Sequence, residues 1–251
     1  MKIRKSPSLL LVIPLLVILG SRLGTAKECL FIGHSFFVPV AQRFASLPAQ
    51  SGIGDHRQRT VYARGAAGSP EALWKGPKAG SIKRALQGGS IDLLGMTFHR
   101  PEDSSFEDYQ RWVEFALKHN PDTDFFIGLP WSRNGGNATA AQMQAMNQEG
   151  DRILTRIVSR LRGVYPNQRF YYLNYGKAAA ELNRLFELGE LMGAKRLVGA
   201  GGVYADRTGH ANNLLKDLSA LLWLKSIYGV SPSGSFSFPH AVDIQAIALR
   251  L

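Results

Sequence analysis

Short runs rich in β-branched and aromatic residues alternate along the chain with longer stretches whose apolar positions recur at helical spacing, the arrangement of βαβ units and a parallel sheet. Six such units follow one another without a linker. Cys29 to Gly33 reads as the first strand and Phe37 to Ala49 as the helix after it. A second, shorter strand over Arg59 to Ala63 leads into Gly65-Ala66-Ala67-Gly68, and Pro70 to Leu86 reads as a helix broken once near Gly76-Pro77 and Gly80. Ile91 to Thr97 is the third strand. Ser105 is placed to cap a helix running to His119, with Asp108 three residues on. Asp124 to Leu129 is the fourth strand and ends in Pro130-Trp131. The long pattern from Ala138 to Leu161 predicts a helix with Met143, Met146, Ile153, Leu154, Ile157 and Leu161 facing inward. Phe170 to Leu173 is the fifth strand, and helices over Lys177 to Leu191 and Leu214 to Tyr228 close the series. The expected fold is therefore α/β, with a mainly parallel five-stranded sheet in one domain over residues 27–251.

Composition narrows this only at the edges. With 45% hydrophobic and 20% charged residues over 251 positions, disordered, collagenous and disulfide-scaffold classes are excluded. The single cysteine, Cys29, rules out an intramolecular disulfide and a multi-cysteine zinc site, and reads as a small buried hydrophobe. Residues 1–26 have the layout of a secretory signal: basic Lys2, Arg4 and Lys5, an apolar run from Leu9 to Leu19, then small residues ending at Ala26. That run is shorter than the roughly 20 residues a spanning helix needs. Cleavage after Ala26 makes the protein secreted or periplasmic, with no stable membrane insertion afterwards. It also removes four of the 30 basic residues and no acidic ones, leaving 26 against 19 and a net charge of +7. The basic residues are interspersed with acidic ones, and none of the stretches interleaves them with aromatics as a nucleic-acid surface would. A positive balance suits solubility, or a position near anionic envelope or polysaccharide surfaces.

In open parallel sheets, chemistry collects at the carboxyl ends of the strands. The first strand ends in Gly33-His34-Ser35: a glycine turns the chain off the strand, and the serine falls near the start of the next helix, where free N–H groups can stabilise an oxyanion. Near the other end, Asp206 precedes His210 by four positions in an irregular stretch before the last helix, a spacing that lets a carboxylate orient an imidazole.

These two blocks resemble those of the SGNH, or GDSL-like, hydrolases. Gly33-His34-Ser35 is similar to their serine block after the first strand, and Asp206 to His210 to their Asp-x-x-His block before the C-terminal helix. The resemblance implies a three-layer flavodoxin-like sandwich and a catalytic set of Ser35, His210 and Asp206. It also implies an oxyanion site formed by the Ser35 N–H, a glycine after the second strand and an asparagine after the third. Three departures are visible. Three residues separate Asp206 from His210 where the pattern has two. The glycine can be Gly65 or Gly68, with Gly68 preferred because Gly68-Ser69-Pro70 opens a helix. No asparagine follows the third strand, which continues as Thr97-Phe98-His99-Arg100, so the third donor falls to His99, Thr97 or Asn134.

Around this centre, Trp131 and Asn134 are candidate substrate contacts, with Trp131 read equally as a sugar platform or as packing. Arg100 either meets an anionic substrate group or pairs with Glu102 or Asp103. His34, His56, His119 and His240 have no partner at metal-ligand spacing, and a phosphate-cradling glycine motif is lacking, so neither metal nor cofactor is expected. The resemblance thus implies a serine esterase, and the signal at residues 1–26, the absence of an obvious lipid-binding lid and Trp131 suggest that it is exported and acts on a carbohydrate or small-molecule O-acyl ester. The alternative is a catalytically inert glycan-binding module on the same fold.

Overall fold

Side chains alternate across the strands and so sort the apolar residues into two layers. In the computed structural model, which describes residues 27–233 and 236–251, β1 (Glu28–Gly33) sends Leu30 and Ile32 to one side and Cys29 and Phe31 to the other. β3 (Leu93–Thr97) and β4 (Asp124–Leu129) are buried along their whole length, as strands covered on both faces must be. β2 (Arg57–Tyr62) lies at one edge and β5 (Phe170–Asn174) at the other, giving five parallel strands in the order β2-β1-β3-β4-β5.

Helices cover both faces, completing a three-layer α/β sandwich. On the Leu30 side lie α3 (Pro70–Lys75), α4 (Ala79–Gln87), α5 (Phe106–His119) and the C-terminal half of α6 (Ala140–Val164). On the Phe31 side lie α1 (Val38–Phe44), α2 (Leu47–Gln50), α7 (Gly176–Glu187), α8 (Asn213–Tyr228) and α9 (Ile244–Arg250). α8 is apolar nearly all round and buried over most of its length. Its Trp223 packs against Phe31, Phe37 and Phe126 with ring centroids 4.7–5.3 Å apart. Asp217, the buried acid of this helix, takes both an Arg43 fork and His240.

Local chemistry sets the boundaries. Ser105 and Asp108 form the expected capping box of α5. Thr139 and Gln142 form another, so α6 starts at Ala140, two residues later than its apolar pattern suggests. The expected helix from Phe37 to Ala49 is two helices, because Pro48 lacks the N–H that a continuous helix would require there. The interruption between Pro70 and Leu86 falls where the glycine and proline predict it, between Lys75 and Ala79. Five strands form among the described residues, as expected, and residues 188–212 hold just the bridges Val198–Tyr204 and Tyr204–Ala211. Five glycines at positive φ between Gly189 and Gly209 keep that segment irregular. Cys29 is buried, as expected. Met146 is not inward-facing but exposed, and the expected signal at 1–26 lies outside the described residues.

Candidate active site

The end of β1 is shaped by what does not fit there. A Cβ on Gly33 would come within 2.9–3.0 Å of Phe37 and Thr97, so the chain leaves the strand as glycine and turns at once. His34 follows and is fully enclosed. Its Nδ1 accepts from the Phe36 N–H (3.2 Å), which leaves the ring proton on Nε2 to be donated to the Phe98 carbonyl (3.2 Å) beyond β3. Burial pulls its pKa down to about 4, so the ring is neutral at physiological pH. Ser35 stands next, in the turn that precedes α1. Among the described residues its backbone N–H has no acceptor.

Ser35 Oγ lies 3.1 Å from His210 Nε2, and His210 Nδ1 lies 2.7 Å from Asp206 Oδ2. The extra residue between Asp206 and His210 is absorbed in a tight turn. Gly209, at φ +97°, donates to the Asp206 carbonyl (3.1 Å), while Asp206 Oδ1 accepts from the Gly209 and His210 N–H groups at 3.1 and 3.2 Å. Desolvation acts to raise the Asp206 carboxyl, but the His210 ring and these N–H bonds outweigh it and hold the group below its ordinary range. The loop is braced from outside: Trp131 Nε1 donates to the Gly209 carbonyl (2.7 Å), the Asn134 N–H to the Thr208 carbonyl (2.8 Å), and the Tyr204 hydroxyl to buried Asn183 (3.0 Å).

A cavity of about 560 Å³ opens beside Ser35 and His210. Its floor is apolar, from Phe36, Phe98, Leu129 and Ile153, and Arg64, Arg100 and Arg133 reach it from successive loops. Gly65 is in its wall. Gly68 packs beneath, where a Cβ would come within 2.7–2.8 Å of Ala63, His34 and the Gly33 carbonyl carbon, so its peptide lies directly against the serine turn.

The other predicted residues are placed less simply. His99 lines the cavity, with Nδ1 2.8 Å from Asp103 Oδ2. In the neutral ring Nδ1–H is donated to the Asp103 carboxylate, so Nε2 is an acceptor, and donation to an oxyanion requires the imidazolium. Thr97 is buried, its hydroxyl within reach of the Phe98 carbonyl (3.2 Å). Trp131 does line the cavity, but at 2% exposure and wedged against Phe36 and Tyr175 its ring serves as packing, the second of the two expected readings, rather than as an open sugar platform. Asn134 is also a correction. It adopts a left-handed turn (φ +66°), its N–H is used by Thr208, and its side chain borders a separate shallow hollow rather than the cavity. Arg100 does pair with Asp103, at 3.5 Å.

One contributor went unseen in the sequence. Asn147 of α6 lines the cavity, is 5% exposed, and leaves its Nδ2 without a partner among the described residues. An asparagine within an amphipathic helix carries no signal that would set it apart from a surface residue. Among the described residues no helix is long and apolar enough to cross a membrane.

No family model matches this chain, and no curated protein matches it. A solved structure similar to it is the periplasmic domain of the lipopolysaccharide acetyltransferase of Salmonella ser. Paratyphi A. The two are 12% identical, with a TM-score of 0.47, over 82% of this chain and 84% of that one.

Proposed function

We propose that the protein is an exported serine esterase of the SGNH type that hydrolyses O-acyl esters of carbohydrates or small molecules. The observation that carries this reading is the unbroken hydrogen-bonded series from Ser35 Oγ through His210 to Asp206 beside an open cavity. Ser35 Oγ attacks the ester carbonyl while His210 Nε2 takes its proton, and Asp206 holds the imidazolium that results. The Ser35 and Gly68 N–H groups receive the negative charge of the tetrahedral intermediate, each worth roughly 3 kcal/mol. Collapse breaks the ester C–O bond, and the alcohol leaves with the proton from His210. A water then attacks the acyl-serine, giving its proton to His210, and the acid departs as Ser35 is restored.

Hydrolysis of short-chain nitrophenyl esters tests the reading. Ser35→Ala and His210→Ala are expected to fall to background, and Asp206→Asn to lose about 10²–10⁴-fold in kcat. Because Asp206 is held below the ordinary carboxylate range, it stays ionised as the pH falls into that range and keeps its hold on the imidazole. Equal turnover by the wild type and Ser35→Ala would refute the assignment. Retained sugar binding without turnover in folded protein would favour the inert glycan-binding module.

A further inference from the structure

The two strands that flank β1, and β4 beyond β3, each send an arginine to the cavity from the loop at the carboxyl end: Arg64 after β2, Arg100 after β3 and Arg133 after β4. The parallel order converts three positions far apart in sequence into one basic arc around Ser35. Arg100 is partly neutralised by Asp103. Arg64 and Arg133 are exposed and have no acidic partner among the described residues. The one carboxylate in the cavity wall, Glu149, is paired with Arg152. The mouth is therefore positive while the floor is apolar. From β2 to β4 the arc crosses three inter-strand steps, about 14 Å, which is wider than a single carboxylate. Such a spread suits anionic groups on more than one unit of a chain, with the acyl group on the apolar floor.

We propose that the cavity takes acyl esters carried on an anionic glycan, with Arg64 and Arg133 reading the charge on either side of the scissile ester. This rests on the esterase reading for the reacting centre, but not for the binding. Carboxylate- and phosphate-bearing glycans share the chemistry that these guanidinium groups recognise.

The test compares kcat/KM on O-acetylated oligogalacturonide, on an O-acetylated oligosaccharide bearing phosphate monoesters, and on neutral O-acetylated xylo-oligosaccharide. At low salt the anionic substrates are favoured by about tenfold, through KM, and the preference shrinks as salt screens the arc. Whichever anionic arm shows the larger preference identifies the source of the charge. Arg64→Gln and Arg133→Gln each cut the preference about threefold. Arg57→Gln removes the same charge at the far end of β2 and leaves the preference as it was. Equal kcat/KM on anionic and neutral esters overturns the proposal while leaving the esterase reading intact, and so does a loss in Arg57→Gln as large as in the other two. If no ester is turned over, calorimetry with the deacetylated oligosaccharides decides: anion-selective binding weakened by Arg64→Gln sustains the ligand assignment although the esterase reading fails, and unselective or absent binding overturns it.

Discussion

His34 shares a turn with Ser35, and its neutrality is tied to folding. With its pKa drawn from 6.5 to about 4 by burial, the folded protein refuses a proton that the unfolded chain accepts. Stability from this group is therefore complete above pH 6.5 and declines as the pH falls toward 4, by about 3 kcal/mol in all. Urea unfolding at pH 7 and pH 4 should show the gap between wild type and His34→Gln narrowing by about that amount; parallel profiles would contradict it. His99 obeys different logic. Its place near the site was legible in the sequence, but the acceptor character of Nε2 was not, since the Nδ1 proton is donated to Asp103, a partner four residues away that the sequence shows only as a surface acid.

At the scale of elements, legibility followed burial. β4 was found with its bounds intact because both faces are covered and Pro130 ends it, whereas edge strand β2 begins two residues early with polar Arg57 and Gln58. The segment 188–212 has no periodicity, so its hairpin-like turn could be anticipated only as two residue types at a spacing. What holds that turn is tertiary. Trp131, buried as the packing alternative expected, also gives it a hydrogen bond at Gly209 that the sequence did not signal. Trp131→Phe keeps the ring packing and removes the donor, leaving the Gly209 carbonyl short of a partner. We expect a loss of about 1–2 kcal/mol in unfolding free energy, and a fall in kcat exceeding any change in KM as His210 loses its fixed position. An unchanged kcat would show that the loop holds His210 without this tie.

For the whole molecule, the strand order does the assembling. Placing β1 between β2 and β3 opens a crevice at the carboxyl ends where the order reverses, and Ser35 stands there. The C-terminal loop reaches it across 175 positions of sequence. The two blocks of the site were visible as residue types and order, but Asn147 and the basic arc were not, because both depend on which loops the sheet brings together. The central claim is that Ser35 alone is activated. Fluorophosphonate labelling mapped by mass spectrometry tests it most directly: the account predicts one adduct, on Ser35, that forms in the wild type and is lost in His210→Ala. Folded protein that stays unlabelled, or carries its adduct on another serine, would contradict it.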